Sequence, residues 1–531
     1  MALWWACRVL ESTLIVPRRL GRALQSQGLR GTTYRFPFGD LKELARLAMA
    51  ARAKPMPPLA RHHAARESPL LQRKISVTWL GPTPRVIVND PKLVREIMAN
   101  KFGHFQKRKH TGIVRRLSNG LVNHEGEKWA AHRKIINPAF HLEKLKKMFP
   151  AFAACSNELI TRWVGYVESD GAKEIDVWPE FQNLTGDVIS RTAFGSSFGE
   201  GRRIFEIQCE QVQNLVKLMN SLYLPGFRFL PTQLNRRIKA NARELQALLR
   251  GIVSKRERAM KEGRANNDDL LGLMMESNIA ETKQAGNSKP IMTMDDIIGE
   301  LKLFYFAGMD TTAVLLTWTM VLLSVHPEWQ HRAREEVQSV LGDNQPDLDG
   351  IQQLKIVSTR SPACALLCSH DFSRKWKSDT VVSVLVWSLQ VTMILYEVLR
   401  LYPPVVQLDR QTYKEVELGG VTYPPGVLLS LPIVFIHHDK DVWGEDADEF
   451  RPERFKDGIS RASKDSPAFF PFGWGPRICV GQSFALVEAK MALSSILQHF
   501  SFGLSQSYTH APFPVSTLQP EHGAHIMLKK L

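Results

Sequence analysis

The stretch Phe472-Gly473-Trp474-Gly475-Pro476-Arg477-Ile478-Cys479-Val480-Gly481 sets a single cysteine in a glycine-rich loop directly ahead of a helical segment. From Gln482 to His499 the apolar residues Phe484, Leu486, Val487, Met491, Leu493, Ile496 and Leu497 recur at spacings of three and four, which predicts a helix. Cys479 is therefore expected just before a helix N-terminus. There the peptide dipoles and unpaired N–H groups favour negative charge, so the thiolate is expected to be accessible near neutral pH. Thiolate is the form that binds metal. An isolated cysteine is otherwise a small buried hydrophobe.

Five positions around the cysteine hold a pattern, Phe-x-x-Gly-x-Arg-x-Cys-x-Gly, filled by Phe472, Gly475, Arg477, Cys479 and Gly481. It resembles the haem-binding loop of the cytochromes P450. The resemblance implies haem b (iron protoporphyrin IX) with the Cys479 thiolate as axial ligand of the iron. It also implies that Arg477 reaches a haem propionate and that the glycines let the backbone approach the macrocycle. The fold it implies is mainly α with small β-sheets: one large cytochrome P450 domain with an N-terminal membrane-associated segment.

Further motifs follow the same family order. Trp129 and Arg133 lie four residues apart, hence on one face of a helix, and both are donors that suit a carboxylate. By resemblance they bind a propionate, as does Arg410. Thr293-Met294-Asp295-Asp296 reads as a helix start, followed by a long helix from about Ile297 to Val325. Its clean apolar run from Thr311 is too short to span a bilayer, and Lys302 and Asp310 lie on the same helix, so a buried core helix is expected. Gly308 inside it costs roughly 1 kcal/mol against alanine, which calls for a functional or packing reason. Ala307-Gly308-Met309-Asp310-Thr311-Thr312 resembles the family's oxygen-binding groove, in which Thr311 hydrogen-bonds dioxygen and Asp310 helps feed protons. Glu397 and Arg400, three apart, together with Arg454 in Pro452-Glu453-Arg454-Phe455, match the family's buried charge network behind the haem. Phe105 to Glu125, Val405 to Gln407 and Ala511 to Val515 are expected to face the substrate.

Elsewhere Ile75 to Leu80 and Pro84 to Val88 read as a hairpin around Gly81-Pro82, and Pro91 to Met98 as a short helix. Val416 to Leu418 and Val427 to Leu431 read as strands. Phe149 to Leu249 is helical in period with a break at Pro225 to Pro231, and Asn266 to Pro290 reads mainly as a surface connection. Pro55-Met56-Pro57-Pro58 is a stiff break, so residues 1–54 are expected to be an anchor and basic linker and 55–531 the catalytic domain. Ala2 to Val16 is mostly apolar but interrupted by Arg8 and Glu11, and is followed by Pro17-Arg18-Arg19. That is short of the ~20 apolar residues a spanning helix needs, and is expected to be part of a longer anchor with its basic flank on the cytoplasmic side.

One stretch fits none of this. Removing Val357 to Gln390 restores the expected family join, Leu354-Lys355-Ile356 to Val391-Thr392-Met393-Ile394. Val-Ser can be encoded by GTAAGT and Leu-Gln by TTGCAG, the usual ends of an intron. The segment is read as translated intron, and its length is unusual for a loop inside a compact domain.

With 531 residues, 44% hydrophobic and 23% charged, the chain is long enough for a large core. The net charge of +16 is scattered rather than blocked, and no nucleic-acid motif appears, so no nucleic acid is expected; an anionic membrane surface or an acidic redox partner fits better. Six dispersed cysteines make no disulfide framework. Trp129 to Phe140 and Leu518 to His525 look most like the plant clan that includes secologanin synthase and several terpenoid and gibberellin oxidases. The implied function is a haem-thiolate monooxygenase that inserts one oxygen atom from O2 into a hydrophobic small molecule, a terpenoid or hormone-like plant metabolite. Its electrons would come from NADPH-cytochrome P450 reductase, at the endoplasmic reticulum membrane, with the catalytic domain facing the cytosol. The alternative is a haem-binding or misfolded inactive isoform created by the interruption.

Overall fold

The molecule is built around the helix Met294–Val325 of the computed structural model. The structure describes residues 2–52, 73–100, 103–108, 120–167, 171–195, 198–220, 232–264, 268–286, 289–342, 344, 346, 350–351, 390–464 and 466–531. The Thr293 hydroxyl accepts the Asp296 N–H at 3.2 Å, and the Asp296 carboxylate accepts the Thr293 N–H at 3.0 Å. This reciprocal capping box satisfies donors that a helix start leaves open. From Thr312 to Leu323 every residue is buried, as expected of a core helix, although its length and apolar character would suffice to cross a membrane.

The helix Val177–Phe194 lies against the central helix so closely that side-chain size is limited between them. A Cβ on Gly308 would stand 2.9 Å from Ile189 Cδ1, which supplies the packing reason for that glycine. Thr185 on the same neighbour donates its hydroxyl to the Met309 carbonyl at 2.9 Å. On the other side, Trp318 stacks on Tyr402 with ring centres 4.5 Å apart and donates its indole N–H to the Leu518 carbonyl at 2.7 Å. Burying aromatic rings of this size is a large share of core stabilisation.

A five-stranded sheet runs in the order Ile75–Leu80, Thr83–Val88, Leu428–Leu431, Leu408–Thr412, Phe105–Gln106. The expected hairpin pairs Ile75 with Val88 and Leu80 with Thr83 around a turn in which Gly81 has φ 59°. A three-stranded sheet joins Ala172–Asp176, His525–Lys530 and Phe500–Leu504. The predicted strand Val416–Leu418 pairs with Val421–Tyr423.

Residues Ala2 to Gln25 form one helical run, with a π-helical turn at Glu11–Ile15. Its C-terminal half buries Leu20 and Leu24 and passes Gly21 over Trp79, while Trp4, Leu10 and Ile15 are exposed. The reading of Asn266 to Pro290 as a surface connection is overturned in its middle. Leu270–Gln284 is a helix capped by Asp269, whose carboxylate accepts the Gly272 N–H at 2.8 Å, and it buries Leu270, Leu271, Leu273, Met274 and Met275. Its polar second half hid this: Asn278 is buried because its amide both donates to the Met292 carbonyl and accepts the Met292 N–H, each at 3.0 Å. The proline-rich breaks at Pro55 to Pro58 and Pro225 to Pro231 lie outside the described residues, as does nearly all of Val357 to Gln390. Gln390 itself is buried and opens the helix Gln390–Leu401.

Candidate active site

The helix Gln482–His499 follows the cysteine loop as its apolar spacing predicts. The loop turns through Gly475–Arg477, and the Cys479 N–H closes it on the Phe472 carbonyl at 2.9 Å. Gly475 has φ +71°, and a Cβ there would lie 2.7 Å from the Met98 carbonyl oxygen, so the loop needs glycine at this position. Cys479 opens on an interior cavity of about 330 Å³. Its side chain counts as exposed only because the cavity lies before it; protein surrounds its other sides.

That burial pushes the Cys479 thiol pKa up, against the Gly481 backbone hydrogen bond and the Arg133 charge, which both favour thiolate. Burial thus opposes the negative charge that the position before a helix favours, and a cation bound at the sulfur would favour it again.

Across the cavity from the loop stands the central helix, with Ala307, Gly308, Thr311 and Thr312 on the wall. The Thr311 hydroxyl donates to the Ala307 carbonyl at 2.7 Å, so its lone pairs remain free to accept from the cavity. Asp310 is not on the wall. It is 4% exposed, and its carboxylate accepts from Thr517 at 2.5 Å and from Ser516 and Gln519 at 3.2 Å. Burial raises its pKa in spite of these donors. Ala511 to Val515 do not line the cavity either; the hairpin they begin instead supplies the partners of Asp310. Val405, Leu121 and Val122 do line it, as expected for their segments.

Trp129, Arg133, Arg410 and Arg477 all reach one end of the cavity, together with Lys107. Arg477 lies over the Trp129 ring, 4.5 Å from its centre, and pairs with Glu125. Arg133 donates to the Ile478 carbonyl at 2.8 Å and so braces the cysteine loop. Burial, with the Arg410 and Arg477 charges, pushes the Lys107 ammonium down to about 7. Arg410 is lowered to about 10, by burial first and then Arg477. Glu125 takes the Lys107 N–H at 2.7 Å as well as Arg477, whereas Asp409 is turned to Ser430 and Gln407. One Arg477 nitrogen, Nη1, is buried with no partner among the described residues.

Cations so crowded lower one another's charge stability, and an orphaned buried donor is costly. A ligand bringing two carboxylates relieves both. Haem fits these residues: the cationic end would hold its propionates, the apolar walls its ring, and Cys479 its iron. Lys107 and Glu125 were missed in the sequence, since neither belongs to a spaced motif. Glu488 was missed too. It is buried on the helix after the loop, with its carboxyl pKa raised well above the ordinary range and Thr312 as its neighbour.

Behind the cavity, Arg400 makes a two-pronged pair with Glu397 at 2.7 and 2.8 Å, and both are fully buried. Arg454 approaches Glu397 at 3.4 Å and donates to the Trp443 carbonyl at 3.0 Å. The expected three-residue network is present.

The family model described as Cytochrome P450 matches residues 70–359 and 390–526. Cytochrome P450 CYP72A616 of Paris polyphylla is 55% identical across 100% of this chain and 95% of its own length. Cytochrome P450 72A15 of Arabidopsis thaliana is 46% identical over 99% of this chain and 96% of its own. Echinocystic acid 23-monooxygenase of Saponaria officinalis is 46% identical over 99% and 97%. With matches of this extent, and a cavity whose sulfur and cations suit haem, the chain belongs to the cytochrome P450 family and is a haem-thiolate monooxygenase served by a reductase, dioxygen and a small-molecule substrate.

Proposed function

We propose that Cys479 ligates the haem iron, that Trp129, Arg133, Arg410, Arg477 and Lys107 hold the propionates, and that the substrate is a hydrophobic terpenoid. The observation that carries this is the convergence of Cys479 and five donor side chains on one apolar cavity. Haem, when bound there, supplies the iron that activates dioxygen, with electron density pushed from the thiolate. The chain does the rest. Phe140, Leu303, Leu315 and Ile433 on the walls exclude water and orient an apolar substrate. The Thr311 oxygen accepts a hydrogen bond on the dioxygen side. Asp310, held by neutral donors and raised in pKa by burial, lies one residue before Thr311 as the acid of the proton relay.

A terpenoid substrate is supported by the relative named for echinocystic acid oxidation. The test is to supply the purified protein with reductase, NADPH and labelled dioxygen over a panel of triterpenoid acids. A product heavier by one labelled oxygen is expected. A thiolate-type carbon monoxide difference spectrum with no triterpenoid product would overturn the substrate; absence of that spectrum would overturn the Cys479 assignment.

The exposed Trp4, Leu10 and Ile15 of the first helical run support attachment to a membrane surface, in this reading that of the endoplasmic reticulum with the catalytic domain in the cytosol. Release of a residue 26–531 fragment from the membrane fraction is the expected result. The segment Val357 to Gln390 is read as translated intron, supported by the family match that stops at residue 359 and resumes at 390. Transcript reads across the join decide it: reads that all contain the segment, with no GT and AG at its genomic ends, would remove the idea.

A further inference from the structure

Outside the haem cavity, two histidines lie in an environment that the reaction does not use. His132 is 1% exposed and His124 9%, their rings meet edge to face with centres 4.6 Å apart, and Glu300, fully buried, stands beside both. Glu300 accepts from His132 Nδ1 at 2.7 Å and from the Leu121 N–H at 2.8 Å. The Nε2 atoms of both histidines are buried and have no hydrogen-bond partner among the described residues. Both nitrogens are therefore open to a ligand, His124 Nε2 lying 3.8 Å from Glu300 Oε1, beyond hydrogen-bonding distance. Asp296, four residues before Glu300 and so on the same helical face, completes the group: one ligand atom from each of His124, His132 and Asp296 lies within 4.8 Å of the others.

We propose that His124, His132 and Asp296 bind a divalent cation of the zinc type, with Glu300 orienting His132 from behind. Two imidazoles and a carboxylate are a ligand set that zinc accepts, a water filling the fourth position. A histidine whose other ring nitrogen donates to a carboxylate is the usual arrangement behind a metal-bound imidazole, because the carboxylate fixes the tautomer and raises the ligand's basicity. The His132–Glu300 hydrogen bond has that form before any metal enters.

One group competes. Lys128 Nζ lies 2.5 Å from Asp296 Oδ1, while the other oxygen of Asp296 serves the helix cap. Lys128 is half exposed on a flexible stem, and a pair of that kind contributes little, so the ammonium can swing into water and free the oxygen. The cation would then tie the helix Gly126–Ile136, which carries Trp129 and Arg133, to the first turns of the helix that carries Thr311.

The experiment is zinc titration of the full-length, haem-loaded protein after dialysis against a chelator, followed by zinc-edge X-ray absorption. One zinc per haem is expected, with only nitrogen and oxygen in the first shell and imidazole scattering beyond it. His124→Gln should lower the affinity at least tenfold with an unchanged haem spectrum. Glu300→Gln, which leaves one acceptor oxygen for the two N–H donors of His132 and Leu121, should lower it roughly 10–100-fold, the usual effect of removing an outer partner. Lys128→Ala should raise it, since the competing ammonium is gone. Sulfur in the first shell, no zinc above background, or an affinity indifferent to both His124→Gln and Lys128→Ala would overturn the site. Those two variants leave the Asp296 cap and the buried His132–Glu300 pair in place, so folding does not confound the result.

Discussion

Two clusters of buried charge flank the cavity, and they are finished in opposite ways. Behind it, all five N–H donors of Arg400 are met: two by Glu397, the others by the carbonyls of His437, Ala447 and Glu449. Glu397 also accepts the Arg451 N–H at 2.9 Å. At the cavity end burial lowers Lys107, Arg410 and Arg477, the Arg477 charge adding to the first two and Arg133 to the last, and Arg477 Nη1 has no partner among the described residues. The Glu397–Arg400 pair is closed by the chain's own atoms, with Arg454 Nε, 3.4 Å from Glu397, as the one loose contact beside it; the second cluster is complementary to carboxylates that the chain does not place there. A protein stabilises its fold with the former and selects its cofactor with the latter.

Breaking the closed cluster should have the largest effect. Glu397→Ala leaves the fully buried Arg400 guanidinium without a carboxylate, while Arg454 keeps Asp446 at 3.0 Å, and the loss is about 3–5 kcal/mol. The expected outcome is almost no soluble haem-loaded protein, measured by haem absorbance per protein after purification. Breaking the open cluster should do something different. Arg410→Leu removes a repelled cation, so the haem-free form should be no less stable to urea. Its haem dissociation should nevertheless rise roughly tenfold, the effect of one charge-assisted hydrogen bond. Equal destabilisation of the haem-free form by both substitutions would erase the distinction.

Thr311→Ala touches neither cluster. Haem content and melting temperature should stay unchanged, while product formed per NADPH falls several-fold and hydrogen peroxide appears in its place. Unaltered coupling would remove Thr311 from the dioxygen side. The smallest effect belongs to Lys107. Its folded pKa, about 7, lies below its ordinary 10.5, so between those values the unfolded chain binds more protons. Stability of the haem-free form should therefore rise as pH increases from about 7 toward 10.5. Lys107→Met should flatten that slope, and added haem should flatten it too, by returning the ammonium to its charged form. A slope that survives Lys107→Met would assign it to another group.

Much of this was legible in the chain. The i,i+4 pair Trp129 and Arg133, the cap at Thr293, the Glu397 and Arg400 pair and the glycine-rich turn before Cys479 rest on helix periodicity or on local backbone conformation. A short window of residues fixes these, and they appear where they were expected. The family pattern around Cys479 carried the fold with it, and the match to residues 70–359 and 390–526 agrees.

Other features depended on what packs against what across long sequence separations. Gly308 is glycine because Ile189 fills the space, and Leu270–Gln284 is a helix because Asn278 and its apolar first turns find partners elsewhere. Asp310 faces Thr517 and Gln519 rather than the cavity, which no spacing could show. Lys107 and Glu125 join the propionate end from segments without a motif. The sequence by itself determined the mainly helical fold and singled out Cys479 and the Trp129–Arg133 pair as candidates, because those follow from local periodicity, residue chemistry and the family pattern. Only the tertiary structure decided how deeply each group is buried, Cys479 above all: desolvation is a property of the surrounding volume, and it pushes that thiol's pKa up against the Gly481 backbone hydrogen bond and the Arg133 charge that favour thiolate.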